Sequence, residues 1–466
     1  MKLCQSFEDT IAAIATPIGA GGIGIIKISG PEAWAIGRRL FVQSGSLESI
    51  QPHHLYHGHI VDSKTEKTVD EVLVSFMRAP STYTREDVVE INCHSGFAVL
   101  DRILGLVIQA GARLAEPGEF TRRAFLNGRI DLTKAEAVLD LIHSKTRRSL
   151  DLASEHLRGG LQTIIVELRG YLMDILAMLE AAIDFPDEDL EVLAGEDLAA
   201  RFRQLVRDPI TQLLEHYEDG RILREGLAVI IAGKPNVGKS SLLNKLLRSN
   251  RALVTPVPGT TRDVIEESFS LRGIPLRLMD TAGLRQAEEL VEKMGMEFTR
   301  ERLAQADLVL FLLDRSGPLT PEDLQIYNDI DIDSKPRLIV LNKVDLDAHP
   351  DFATIRDRFP EETMVETSAL YGDGMEELQD AVFLSILGGR LDTETSVVAP
   401  NLRHKLCLER SLEAVNRGLE LLDAQSSVEL IAFEVQEALA HLGEIVGLTT
   451  TEDLLDQIFS RFCIGK

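Results

Sequence analysis

Apolar and polar positions recur with two different periods along the chain, and the changes of period predict the elements. In residues 1–125, short runs such as IGIIKIS and EVLVSF have the length and β-branched content of strands, while FAVLDRILGLVIQAGA has helical spacing. This predicts an α+β domain over 1–125. From 126 the period lengthens: Leu161, Ile164, Ile165, Leu168, Leu172, Ile175, Leu176 and Leu179 fall at helical steps, predicting long amphipathic helices to about 220. Thr133 followed by Glu136 has capping-box spacing, which makes Thr133 the expected start of a helix. The runs LAVIIAG, SFSLRG, PLRLMD, DLVLFLLD, RLIVLN and MVETSA then read as strands with helical stretches between several of them, the signature of a parallel or mostly parallel sheet. Helical periodicity returns after 384, with Leu408, Leu412, Val415, Leu419 and Leu422 on one stripe and Ile431, Val435, Ala438, Leu442 and Ile445 on another. The expected organisation is therefore a helical domain in two pieces, 126–220 and 385–466, with an α/β domain inserted at 221–384. An insert of this kind is tolerated when its termini lie close together.

Composition narrows the function classes. The 466 residues exceed one ordinary core. With 74 acidic against 49 basic side chains the net charge is −25, which argues against a chain that clamps nucleic acid over its whole surface. Any nucleic acid must meet a local basic patch or be held partly by a partner. The four cysteines are scattered without metal-ligand spacing, and no segment approaches 18 uninterrupted apolar residues, so the expectation is a reduced, cytoplasmic protein with no membrane partner. His57, His59 and His94 do not form a metal-ligand pattern, and no zinc is expected. GAGGIG at 19–24 satisfies a dinucleotide spacing literally, but it precedes a strand and opens no helix, so a loop-shaping role is expected instead.

The chemistry lies in the inserted unit. GKPNVGKS at 233–240 follows a strand and opens a helix, as a phosphate-binding loop must. Gly233 and Gly238 let the backbone wrap closely around phosphates, Lys239 supplies charge to the β- and γ-phosphates, and Ser240 offers a hydroxyl to Mg²⁺. The base is chosen by NKVD at 342–345. The carboxylate of Asp345 can accept from guanine N1–H and its 2-amino group, whereas adenine offers no such donor pair. Asn342 can serve the other edge of the purine, and the amide of Ala369, beside Ser368, can complete the pocket. PGTTRD contains Thr261, a candidate second Mg²⁺ ligand, and DTAG at 280–283 gives Asp280 as a partner of the Mg²⁺ shell and the Gly283 amide as a γ-phosphate contact. The full expected GTP-binding set is Asn236, Val237, Gly238, Lys239, Ser240, Ser241, Thr255, Pro256, Val257, Pro258, Gly259, Thr260, Thr261, Asp280, Thr281, Ala282, Gly283, Asn342, Lys343, Asp345, Ser368 and Ala369. Leu284 occupies the position after DTAG where many such hydrolases carry a water-orienting Gln, so either hydrolysis is slow and needs an outside residue or another group in the second switch does that work.

These motifs, together with TYTREDVVEINCHSG, EPGEFTRRAFLNGRIDLTKAEAV and the terminal CIGK, resemble the tRNA-modification GTPase family MnmE, also called TrmE, over essentially the whole chain. The resemblance implies an N-terminal domain that forms the homodimer and binds a tetrahydrofolate derivative, 5-formyl- or methylene-tetrahydrofolate. It also implies a discontinuous helical domain and a Ras-like P-loop G domain. The implied function is GTP-driven modification of C5 of the wobble uridine in certain tRNAs, a carboxymethylaminomethyl or aminomethyl group being installed with an FAD-dependent partner, MnmG (GidA). It further implies K⁺ held by Asn236, Thr255, Val257 and Thr260 when two G domains meet, with Glu292 orienting water. Folate contacts fall on Lys27, Glu86, Arg129 and Lys466, with Lys27 standing where Arg is usual, and Cys463 lies beside that site with a possible redox or covalent role. Two other readings stay open: a ribosome-assembly GTPase acting as a binding switch, and a dynamin-like assembly GTPase, for which no lipid-binding surface is visible.

Overall fold

The computed structural model describes residues 9–17, 19, 21–44, 50–185, 195–249, 267–279, 303, 305–330, 335–387 and 398–466. The chain divides into two compact units. The first comprises Met1–Leu139, His156–Asp208 and Cys407–Lys466, and the second comprises Asp140–Glu155 and Pro209–Leu406.

The first unit is built on a seven-stranded sheet in the order β3-β4-β5-β6-β2-β1-β7. Its strands are β1 (Ile11–Ile14), β2 (Gly24–Ser29), β3 (Phe41–Gln43), β4 (His54–Val61), β5 (Thr68–Met77), β6 (Val88–Cys93) and β7 (Arg113–Leu114). All pairs are antiparallel except β1 with β7. Alternate residues of β5, Val72, Val74 and Phe76, face a core shared with Trp34, Ile36 and Leu40 of α1 (Ala33–Leu40) and with Leu100, Ile103 and Val107 of α2 (Phe97–Gln109). Each such fully buried side chain contributes about 1.5–3 kcal/mol. Trp34 meets Phe76 edge-on at 5.4 Å and satisfies its indole N–H on the Met77 carbonyl at 3.0 Å.

After the sheet the chain forms α3 (Glu119–Leu126), α4 (Leu132–His143), α5 (Arg147–Arg158), α6 (Gly160–Asp184) and α7 (Gly195–Phe202), with most of α5 belonging to the second unit. The expected cap at Thr133 is corrected. The helix begins one residue earlier, and Asp131 is the cap, its Oδ1 accepting from the amides of Thr133 at 2.9 Å and Lys134 at 3.2 Å. A short carboxylate fits this position better than a β-branched hydroxyl residue. The stripe read along α6 is buried at Leu161, Ile165, Leu168, Leu172, Ile175 and Leu179, and it packs on the helix Val428–Val446, whose Ile431, Val435, Ala438, Leu442 and Ile445 are buried in turn. Arg169 of α6 donates to the Leu439 carbonyl of that helix.

The second unit includes α9 (Tyr217–Glu225), which follows α8 (Asp208–Glu215), and α10 (Lys239–Ser249) around a six-stranded sheet. Its order is β13-β12-β11-β8-β10-β9, with β8 (Leu227–Ala232), β9 (Glu267–Leu271), β10 (Ile274–Leu278), β11 (Leu308–Asp314), β12 (Arg337–Asn342) and β13 (Thr363–Thr367). Every pairing is parallel except the hairpin β9–β10, whose two turn residues, Arg272 and Gly273, both have positive φ. The continuous apolar run of β11 is explained by burial on both faces. Leu308, Leu310 and Leu312 join one core, while Val309, Phe311 and Leu313 join another. Near the entry and exit of the expected insert, Arg224 donates to the carbonyls of Ala399, at 3.0 Å, and Pro400, so these two stretches of chain are adjacent. Among the described residues no helix is long and apolar enough to cross a membrane.

Candidate functional site

In an open parallel sheet ligands meet the carboxyl ends of the strands, and the candidate nucleotide residues are delivered there by β8, β12 and β13. The loop 233–238 joins β8 to α10, so Lys239 and Ser240 stand in the first turn of that helix, where unpaired backbone amides favour anions. Two glycines are dictated by space. A Cβ on Gly233 would lie 2.4 Å from the Leu312 carbonyl oxygen, and one on Gly238 would lie 2.2 Å from Asn342 Nδ2; both residues have positive φ. Asn236 also adopts a left-handed backbone, φ 65°. The ammonium of Lys239 donates to the carbonyls of Gly233 and Lys234, each at 2.6 Å, which curls the loop around its own lysine. Burial lowers the Lys239 pKa, and the negative charge of Glu322 opposes that shift.

NKVD and SAL are locked to this loop. Asn342 Nδ2 donates to the Val237 carbonyl at 2.8 Å, while Asn342 Oδ1 accepts from the Ala369 amide at 3.0 Å. Both polar ends of Asn342 thus engage the protein, and the residue ties the base loops to the phosphate loop. Asp345 is held by the Ser368 hydroxyl, which donates to its Oδ1 at 2.6 Å. Lys343, at φ 65°, pairs with Asp314 at 2.6 Å, an ion pair that holds the Asp314 pKa below its usual value against the opposing effect of burial. Asn236, Val237, Gly238, Lys239, Ser240, Ser241, Asn342, Lys343, Asp345, Ser368 and Ala369 all lie in these loops and in the first turn of α10. Thr255, Pro256, Val257, Pro258, Gly259, Thr260, Thr261, Asp280, Thr281, Ala282, Gly283, Leu284 and Glu292 lie outside the described residues.

The first unit holds a second constellation, centred on Tyr83. The Lys27 ammonium lies 5.4 Å from the centre of the Tyr83 ring, and the Arg129 guanidinium carbon 4.6 Å from it. The chain end docks beside them, with the Phe120 amide donating to the Lys466 carbonyl at 3.1 Å. Burial lowers the Lys27 pKa, and the nearby Lys466 adds to that shift while Glu90 opposes it. Glu86 accepts from Ser29 at 2.7 Å and from Arg123 at 3.2 Å, yet burial outweighs these contacts and raises its pKa. Lys27, Glu86, Arg129 and Lys466 therefore belong to one neighbourhood that offers cations, a carboxylate and an aromatic face. Cys463 is exposed, and its carbonyl accepts from the Lys466 amide at 3.3 Å.

The residues the sequence did not single out are the ones underneath. Arg123 is completely buried and bonded to Glu86, to Asp9 at 2.8 Å and to Glu119 at 2.9 Å, with Arg113 gripping the last two from outside. Its only signal was its place in EFTRR, where nothing distinguishes a buried arginine from a surface one.

A family profile described as the MnmE helical domain matches residues 132–463, and one described as the GTP-binding protein TrmE N-terminus matches residues 10–129. The chain is 50% identical over 465 residues to a protein of Syntrophobacter fumaroxidans (strain DSM 10017 / MPOB), covering 98% of each chain. It is 47% identical over 461 residues to one of Alkaliphilus metalliredigens (strain QYMF), covering 98% of this chain and 99% of the relative. Both relatives carry the description tRNA modification GTPase MnmE. The chain belongs to the MnmE family. Its architecture is that of a multidomain MnmE protein, with a TrmE-type N-terminal domain, a helical domain and a P-loop GTPase domain. Among solved structures, the G domain of the T. maritima FeoB iron transporter is 26% identical, covering 34% of this chain and 96% of that one at a TM-score of 0.25, a likeness that carries no weight for the fold.

Proposed function

We propose that this chain is a GTPase of tRNA modification that acts on the wobble uridine, and that its domains run 1–125, 126–220 with 385–466, and 221–384. The observation that carries the reading is the Asn342 tie. It joins the phosphate loop at the Val237 carbonyl to the Ala369 amide, next to the bonded pair Asp345 and Ser368, within one MnmE-family chain.

In this reading the amides of 236–241 and Lys239 hold the β- and γ-phosphates, and Asp345 accepts the guanine N1–H and amino hydrogens. Water attacks the γ-phosphorus, the bond to the β–γ bridging oxygen breaks, and GDP and phosphate leave. Glu292 orients the water where Leu284 cannot. Ser240 and Thr261 would hold Mg²⁺, and Asn236, Thr255, Val257 and Thr260 would hold K⁺, ions that would supply positive charge against the phosphates. Thr255, Pro256, Val257, Pro258, Gly259, Thr260 and Thr261 form the first switch, and Asp280, Thr281, Ala282 and Gly283 open the second.

The Tyr83 neighbourhood suits a reduced folate. A pterin can stack on the ring and donate to Glu86, while Lys27, Arg129 and Lys466 can meet the glutamate carboxylates. A bound folate would supply the one-carbon unit, and Cys463, whose thiol is free and exposed, would be the residue for a redox or covalent role there. Unchanged tRNA modification by a Cys463→Ser protein overturns that last role. The chain works as a homodimer through its N-terminal domain, in the cytoplasm, with the FAD-dependent MnmG (GidA) supplying much of the tRNA-binding surface. The test is GTP turnover in KCl and in NaCl at equal ionic strength, with Glu292→Ala alongside. Stimulation by K⁺ that the variant loses supports the reading, and equal rates in both salts overturn the cation.

A further inference from the structure

The phosphate loop contains a second lysine to which the motif gives no function. Lys234 turns away from the loop interior, and its ammonium bonds to Thr320 at 3.0 Å and to Asp323 at 2.7 Å. Both belong to the start of the helix Pro321–Ile330, where Asp323 Oδ2 also accepts from the Thr320 amide and hydroxyl, each at 2.8 Å. Asp323 is 2% exposed, and its other oxygen, Oδ1, has no hydrogen-bond partner. Lys234 thus supplies a cation to this buried carboxylate, bonded to its Oδ2. At the same time its own carbonyl accepts from Lys239, the lysine that serves the phosphates. Burial lowers the Lys239 pKa and the neighbouring Glu322 lies close enough to oppose that shift, so this acidic helix start and the phosphate loop share one electrostatic environment.

We propose that Lys234 is a positioning residue for nucleotide binding. It anchors the phosphate loop to the helix Pro321–Ile330 and neutralises Asp323, which would otherwise be an uncompensated buried anion beside that loop. The inference rests on the reading of 233–240 as the phosphate loop. Removing one partner of a buried ion pair leaves an uncompensated charge, whereas removing both charges together does not. A surface lysine without this duty would show no such coupling.

The test is fluorescence titration of the full chain with N-methylanthraniloyl-GDP, reading both Kd and binding stoichiometry, together with kcat and KM for GTP. Lys234→Met is expected to raise Kd and KM roughly tenfold at native stoichiometry and with kcat near native, a shift of about 1.4 kcal/mol. Lys234→Arg should retain native binding, and the double variant Lys234→Met/Asp323→Asn should recover most of the loss. Native Kd in Lys234→Met overturns the proposal, as does a double variant no tighter than the single one. A Lys234→Met protein that loses stoichiometry while its bound fraction keeps native Kd has a folding defect, which also overturns the positioning role. If the native chain itself fails to bind the nucleotide, the reading of the loop falls instead.

Discussion

The two constellations are built from opposite materials. The nucleotide loops of the second unit rest on backbone: glycines that no Cβ can replace, carbonyls that hold Lys239, and one asparagine that ties three loops together. The Tyr83 neighbourhood of the first unit rests on side-chain charge, with a completely buried arginine bonded to three carboxylates. A backbone site imposes spacing on the sequence, because each residue must reach a fixed φ and a fixed gap. A charge network imposes only residue type, and its members come from distant stretches. The first kind of site is therefore visible as a motif, and the second emerges only once the chain is folded.

The contrast can be broken from either side. The largest expected effect is from Gly238→Ala. A Cβ 2.2 Å from Asn342 Nδ2, on a backbone at φ 102°, must displace the loop, so nucleotide affinity should fall by ~100-fold or more, while reduced-folate binding stays native. Equilibrium titration of each ligand checks this, and simultaneous loss of both would erase the distinction between the sites.

Next comes Arg123→Met, which strands Glu86 and leaves Asp9 and Glu119 to Arg113 alone. The expected cost is about 3–5 kcal/mol of stability, read as a lower unfolding midpoint in denaturant. Conversion of Arg123 at no cost would mean that the network is not structural. Glu86→Gln is milder, because the amide keeps the shape and can still accept from Ser29. Folate affinity should fall by roughly tenfold, with GTP turnover unchanged.

The smallest effect is the pH dependence of the same network, and its members act in opposite directions. Burial is the largest influence on both Asp9 and Glu119, but the arginines overcome it and hold their pKa values below the ordinary 3.8 and 4.5. Their contribution to stability is present above those values and is lost as pH falls through the depressed ones. Burial raises Glu86 above its ordinary 4.5, so stability instead falls as pH rises from 4.5 through that raised value. Thermal unfolding across acid pH should show the second slope in the native chain and not in Glu86→Gln.

Legibility in the sequence followed the same division. β11 and β12 were readable because a run buried on both faces is apolar throughout, and α6 was readable because one stripe of it carries the packing. The loops 233–240 and 342–345 were visible as motifs, and they follow β8 and β12 at the carboxyl end of the sheet. The cap of α4 was misread because Thr133 and Asp131 both suit a helix start, and only hydrogen bonding separates them. Arg123 gave no signal because arginine is almost always a surface residue, and its burial depends on Glu119 of its own helix and on carboxylates from two distant stretches, Asp9 and Glu86. Lys234 was hidden for a related reason. Its partners, Thr320 and Asp323, stand at the start of a helix that the motif does not contain.

The central claim is that one chain carries two ligand sites of separate chemistry, for GTP and for a reduced folate. The most direct measurement is calorimetric titration of GDP and of 5-formyl-tetrahydrofolate into the native chain, Asp345→Asn and Glu86→Gln. The account predicts that the native chain binds both, that Asp345→Asn loses only GDP, and that Glu86→Gln weakens only the folate. Native binding of both ligands by both variants, or no folate binding by the native chain, would contradict it.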